Sequence, residues 1–219
     1  MRRKIKAIDR KLVEMYGNKI QSKYTDPTVE LILTVLSQNT NDLNRDKAFS
    51  SLRTRFPDWS DIAEARASSI AAAIRVGGLA NIKAGRIKRI LRQIGEHSKE
   101  YSISFLSDKA DNEAWDYLMS FDGVGPKTAS CVMMFALGRD FMPVDTHVHR
   151  VSGRLGIIPD GMGADAAHEW FRDLKPPVSA YQLHLNLIQH GRTLCRPAKP
   201  KCAECRLTKY CDFYNGNSR

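Results

Sequence analysis

The segment from Asp26-Pro27 to Leu36 most constrains what this chain can fold into. Aspartate followed by proline marks a helix start, and Val29, Leu31, Ile32, Leu33, Val35 and Leu36 then make that helix apolar nearly all round. Such a helix belongs in the centre of a fold, not on its surface. Further helical patterns occupy about residues 41–56, 67–75, 80–98, 111–120, 126–138, 145–155, 163–173 and 178–191, and Pro176-Pro177 breaks the last two apart. No alternating strand pattern is present, so the expected class is all-α. The 219 residues, 42% of them hydrophobic, suffice for one or two small domains with real cores. No apolar run is long enough to span a membrane.

Phe121-Asp-Gly-Val-Gly-Pro-Lys127-Thr-Ala is a glycine turn leading into a helix. Gly123 and Gly125 permit backbone angles that other residues resist, so their N–H groups can converge as an anion-binding nest suited to a phosphate. Pro126 fits the first helical position, where a missing N–H costs nothing. Lys127 then lies in the first turn, where the helix end carries roughly half a positive charge and disfavours a second one. That position favours the neutral amine and makes Lys127 a candidate nucleophile. The bland reading, a solvated phosphate contact, stays open.

Asp145, eighteen positions after Lys127 in Val144-Asp-Thr-His147, supplies a carboxylate. A helix of about twelve residues runs about 18 Å, and six extended residues span about 20 Å, so the chain can return to the helix start. Pro143 favours an extended residue before it, consistent with a return strand. Asp145 is also a good N-cap for the helix that follows, and the two roles are compatible.

Cys195, Cys202, Cys205 and Cys211 have the spacing C-x6-C-x2-C-x5-C in a loop-like stretch containing Pro197 and Pro200. Four thiolates so close suggest a metal. Structural zinc sites usually present two close pairs, and here only Cys202 and Cys205 form one. A four-iron cluster tolerates wider spacing. Two disulfides are the remaining alternative, set against a start, Met1-Arg-Arg-Lys-Ile-Lys, without an apolar signal segment and hence an expected reducing cytosol. Cys131, in an apolar helix, reads as a core residue.

The 34 Lys and Arg against 24 Asp and Glu give a formal net charge of +10, so an anionic partner is expected, nucleic acid being the commonest. Residues 1–24 hold eight basic and two acidic side chains, and residues 83–99 hold six basic and one acidic. Each cluster taken alone reads as the solvated face of a helix.

Taken together, the helix-hairpin-helix run Leu118 to Ala129, the Val-Asp-Thr-His at 144–147 and the four-cysteine spacing resemble the endonuclease III family of DNA glycosylases and abasic-site lyases. The resemblance covers nearly the whole chain. Val35-Leu-Ser-Gln-Asn-Thr-Asn-Asp42 looks like the family's loop that enters DNA opposite the lesion, and Gly78-Leu-Ala-Asn-Ile-Lys-Ala84 looks like its second wedge loop. The resemblance implies a six-helix domain over residues 25–137, with the hairpin at about 111–138. It implies a second domain from residues 1–24 plus 138–219, with a [4Fe-4S] cluster in the loop 195–211 and DNA bound between the two. The implied activity is bifunctional: removal of oxidised pyrimidines from double-stranded DNA, then cleavage 3′ to the abasic site by β-elimination. Lys127 would be the nucleophile through a Schiff base, and Asp145 would stabilise developing positive charge on the sugar. Leu79 would be a wedge, Gln38 or Asn39 would face the orphaned base, and Gly123 and Gly125 would hold phosphate. For His147, a phosphate contact, orientation of Asp145 and a surface helical position all stay open. The protein is expected to act as a monomer in the cytoplasm, on nucleoid DNA, away from membranes.

Two departures from the family pattern stand out. Relatives often carry proline where this chain has Asp122, an acidic group beside the proposed phosphate nest, and Gly153 falls inside the helix after Asp145. Three other functions compete. A monofunctional mismatch glycosylase for adenine, uracil or thymine usually lacks the hairpin lysine. A non-catalytic DNA-binding module would leave Asp145 a mere cap. An iron–sulfur electron carrier would leave the hairpin and the basic clusters without a purpose.

Overall fold

The computed structural model describes residues 1–217, which are helical without a strand among them. They divide into two compact units, residues 24–139 and residues 1–23 with 140–217.

In the 24–139 unit, α2 (Pro27–Ser37) is the central helix, following α1 (Arg2–Tyr16) of the other unit. Asp26 starts α2 by accepting the N–H groups of Thr28 and Val29, and Leu31, Ile32, Val35 and Leu36 are wholly buried. Around α2 pack α3 (Asp42–Arg55), α6 (Ala80–His97) and the hairpin helix α8 (Pro126–Cys131). Between α3 and α6 lie two short helices, α4 (Trp59–Glu64) and α5 (Ala67–Ala73), which pack on α6. The hairpin's first arm is α7 (Asp111–Met119).

Two helices of this unit differ from the sequence expectation. Residues 126–138 do not form one α-helix: α8 ends at Cys131 and residues 132–136 continue as a π-helix, closed by the N–H of Leu137 on the carbonyl of Val132 at 3.1 Å. The widened turn keeps Val132, Met133, Met134 and Ala136 buried, so the apolar pattern continues while the hydrogen-bond register changes. The second difference is α4, which is too short to show a period. Its start is fixed locally by Asp58 and Asp61, whose side chain accepts the Asp58 N–H.

In the other unit, α1 packs on α11 (Ala180–Thr193), and α9 (Thr146–Arg154) packs on α11 and α10 (Ala164–Leu174). The last helix of the described residues is α12 (Asp212–Asn217), beside α9. Ile5, Ile8 and Leu12 form one core with Val148, Val151, Phe171, Leu183 and Leu187. Asp9 lies at the edge of that core, 7% exposed, with Oδ2 accepting from Gln182 at 2.8 Å and Oδ1 buried without a partner among the described residues.

Burial raises the Asp9 carboxyl above the ordinary aspartate range, and the Gln182 hydrogen bond only partly offsets this. The folded group therefore ionises at higher pH than the unfolded one, and stability falls as pH rises through that window. Asp9→Asn should melt higher than the parent at neutral pH, with the difference shrinking as pH approaches the ordinary aspartate value of about 4. Calorimetry across that range checks it, and a pH-independent difference would assign the effect to packing.

Candidate active site

The hairpin turn is built from its ends inward. Phe121 and Val124 are buried, Phe121 meets Tyr117 edge to face at 5.2 Å, and the Val124 N–H closes the turn on the Phe121 carbonyl. Gly123 takes φ +78°, and a Cβ there would stand 2.5 Å from Nε of Arg86. Glycine is thus required twice, by the backbone and by the arginine lying over it. Gly125 differs from the sequence expectation: its φ is −105°, an ordinary extended value, and a Cβ there would meet nothing within 4 Å. The N–H groups of Gly123 and Gly125 find no acceptor among the described residues, so both remain available to an anion. Lys127 is exposed in the first turn of α8. Asp122, the departure noted above, is paired with Arg89 at 2.5 Å; both are well exposed, so the contact adds little stability, but it draws the carboxylate toward a cation.

The two loops that resemble DNA wedges lie beside this turn. Gln38 accepts from Arg86 Nη1 at 2.7 Å and donates to the Gly123 carbonyl at 3.4 Å, so both ends of its amide are engaged. Asn39 is exposed and left-handed, with φ +52°. Leu79 is 49% exposed and also left-handed, with φ +49°, as the N-cap of α6. The loops lie near each other at Gly78, where an added Cβ would stand 4.0 Å from the Asn39 carbonyl.

Asp145 belongs to the other unit and is the N-cap of α9, its Oδ1 accepting the Val148 N–H at 2.7 Å. Before it, the Pro143 carbonyl and the Val144 N–H are each bonded by a buried histidine. His168 Nδ1 lies 2.8 Å from the Ala164 carbonyl, which can only accept, so Nδ1 carries the proton and Nε2 accepts the Val144 N–H at 2.9 Å. His184 Nδ1 bonds the Pro143 carbonyl at 2.9 Å. Neither histidine was singled out from sequence, since only the fold brings them to residues 143 and 144. His147 is half-buried in α9, with Nδ1 3.1 Å from the Arg150 guanidinium and its body against Gly191 of α11. Arg150 can only donate, so Nδ1 is taken and Nε2 is the edge left for a further contact.

The four cysteines at 195, 202, 205 and 211 line one cavity together with Arg154, His190 and Phe213. All are free thiols, so no disulfide joins them. Among the described residues no three His, Cys, Asp or Glu side chains close on a single-ion position. Sulfur-directed donors surround the cavity. Arg154 Nη1 lies 3.4 Å from Cys195 Sγ, the Leu207 N–H 3.4 Å from Cys205 Sγ, and His190 Nε2 3.6 Å from Cys205 Sγ. Burial pushes the Cys205 and Cys211 thiols up, and neighbouring cysteine charge adds to this. Burial also holds the His190 imidazole down at about 4, and its Nδ1 meets Tyr16 Oη at 2.9 Å. Four thiols in one pocket ringed by N–H donors suit a multi-atom, thiolate-held group whose sulfurs accept hydrogen bonds.

Residues 32–177 match the family described as HhH-GPD superfamily base excision DNA repair protein. A putative DNA glycosylase of Arabidopsis thaliana is 37% identical over 192 residues, which cover 84% of this chain and 66% of that protein. Endonuclease III of Sulfolobus acidocaldarius is 32% identical over 212 residues, covering 96% of this chain and 92% of that protein. Among solved structures, a trapped endonuclease III–DNA covalent intermediate superposes with a TM-score of 0.80 at 25% identity, covering 100% of this chain and 99% of that one.

The two hairpin glycines should separate in stability. Gly123→Ala, facing both a left-handed backbone and Arg86, should lose about 1–2 kcal/mol. Gly125→Ala should be neutral or slightly stabilising, by up to about 0.5 kcal/mol. Denaturant unfolding of the two variants checks the contrast.

Proposed function

This chain belongs to the HhH-GPD superfamily of base excision DNA repair proteins and, within it, to the endonuclease III family of DNA glycosylases, and from that premise we propose a bifunctional glycosylase and abasic-site lyase for oxidised pyrimidines. The observation that carries the lyase is Lys127, an exposed amine in the first turn of α8, directly after a glycine turn with free N–H groups. The N–H groups of Gly123 and Gly125 would hold a backbone phosphate and so set the distance from the chain to the amine.

In this reading the neutral Lys127 Nζ attacks C1′ of the damaged nucleotide, and the base leaves with a proton. The nitrogen loses one proton, the C1′–O4′ bond breaks as O4′ takes up a proton and a protonated imine forms, the C2′–H that this acidifies is removed, and the C3′–O bond breaks to expel the phosphate. The Asp145 carboxylate counters the positive charge that develops on the sugar. Its Oδ1 is committed to the Val148 N–H, and Oδ2 takes no hydrogen bond among the described residues, so one oxygen orients the group and the other would be left for that charge. The duplex must first give up the damaged base, at a cost that is smaller where pairing is already weak. Leu79 and Asn39 would fill the gap. Gln38 is tied to Arg86 and Gly123, whereas Asn39 is exposed with its amide unengaged among the described residues, so Asn39 is the one that would face the orphaned base.

Cys195, Cys202, Cys205 and Cys211 would hold a [4Fe-4S] cluster. Base removal needs no electron, and what the cluster supplies is four bonds that pin the loop carrying Lys199, Lys201, Arg206 and Lys209.

Incubation with an oxidised-pyrimidine duplex and borohydride should give a covalent protein–DNA adduct that Lys127→Ala abolishes. Base release without an adduct would instead indicate a monofunctional glycosylase. In single-turnover assays Asn39→Ala should slow base release about tenfold and Gln38→Ala less, since Gln38 acts through the turn. Purified protein should contain iron and acid-labile sulfide, lost on Cys202→Ser and kept on Cys131→Ser; zinc without sulfide would overturn the cluster assignment.

A further inference from the structure

Lys83 is 1% exposed, among the largest fully buried side chains of the described residues, and no carboxylate among them pairs with it. Its Nζ donates to two backbone carbonyls, Leu36 O and Gly77 O, each at 2.7 Å. Both carbonyls close helices: Leu36 lies in the last turn of α2, and Gly77 ends a 3-10 turn over residues 75–77. Helix C-termini carry partial negative charge and orphan carbonyls, so a buried ammonium is tolerated between two of them where an apolar site would reject it. Desolvation still lowers the lysine's affinity for its proton.

What leaves those two helix ends decides the meaning of the clamp. Three residues beyond Leu36 stands Asn39 and two beyond Gly77 stands Leu79, both exposed and both left-handed without being glycine. A left-handed non-glycine residue costs on the order of 1 kcal/mol and persists only where its surroundings over-determine it. One buried cation bonded to the stem of each loop provides that determination. Lys83 is further tied to Leu79 along the chain, its own N–H donating to the Leu79 carbonyl at 3.0 Å.

We propose that Lys83 is a positioning residue that couples the Asn39 and Leu79 loops, holding both in their left-handed form and at fixed separation so that they enter the duplex as one device. It touches neither DNA nor the reacting sugar. The inference rests on the reading of these loops given above and adds that their action is joint and set by an internal cation. Insertion of a preordered pair avoids the entropy of ordering each loop at the moment of contact.

The test separates positioning from general damage by varying the need for insertion. Single-turnover base release is measured on 5-hydroxycytosine paired in a duplex and on the same lesion inside a bubble of noncomplementary bases, where little unstacking is required. Lys83→Met should slow the paired substrate about tenfold or more and the bubble by about twofold or less. Lys83→Arg, which keeps donors for both carbonyls, should recover most of the paired rate. Equal losses on both substrates would overturn the proposal, as would an unchanged paired rate. Should Lys83→Met show no cooperative melting, Lys83→Gln, too short to reach both carbonyls, carries the same comparison. Asn39→Ala and Leu79→Ala run alongside. If they spare the paired substrate, the loop reading itself fails, whereas if they slow it and the Lys83 variants do not, only the coupling fails.

Discussion

A helix that ends inside a fold leaves carbonyls that something must satisfy, and in the 24–139 unit that task falls on the cations of α6. Lys83 bonds the ends of α2 and of the 75–77 turn, Lys88 bonds Ala65 O at 2.5 Å, and Arg92 bonds Ala63 O at 3.0 Å, the last two at the end of α4. Each contact sets a cation against the negative end of a helix. One amphipathic helix thereby terminates three neighbours, and the loops that leave those ends inherit their positions from it. The remaining cations of α6 reach the hairpin, Arg86 through Gln38 and over Gly123, Arg89 through Asp122.

The other unit uses arginines the same way. Arg2 donates to the Leu174 and Lys175 carbonyls at the end of α10, and Arg150 to the Gly191 and Cys195 carbonyls at the end of α11. Arg154 donates to Arg196 O at 2.7 Å and Pro197 O at 2.9 Å, and its guanidinium lies 4.5 Å from the centre of the Phe213 ring. The cysteine loop is thus tied to α9 by backbone contacts as well as by whatever its thiols bind. That division matters to the chemistry of the pocket: donors that are themselves held can aim at sulfur without reorganising.

The helices were legible because their apolar periods are long and their starts carry chemical signals. Asp26-Pro27 opens α2 as expected, and Asp145 caps α9 through the Val148 N–H. The hairpin turn was legible at Gly123, whose angle demands glycine, but not at Gly125, where the space outside the chain, not the angle, is what glycine leaves open. The basic run at 83–99 is solvated at Arg89, Arg92 and Lys99 but not at Lys83, because charge pattern reports composition and not partners. Leu36 lies 47 residues from Lys83, and nothing local to either signals the bond. The π-turn after α8 escaped for a related reason: residues 132–136 remain apolar on the buried side whichever carbonyl each N–H selects.

Capping and ion pairing also differ in what they leave behind, and this bears on how a chain of net charge +10 meets an anion. Asp122 is ion-paired with Arg89 and Glu64 with Arg92, whereas the Ala65 carbonyl that accepts from Lys88 fixes that cation in place without neutralising it. A cation already ordered by its own fold loses little further entropy when a phosphate arrives, while a free surface lysine must surrender its rotamers at that moment. Attraction from such fixed charges weakens with salt, yet their geometry does not depend on it. The same contacts that end the helices therefore keep part of the positive field in a defined place, and the price of that order is met in folding and not in binding.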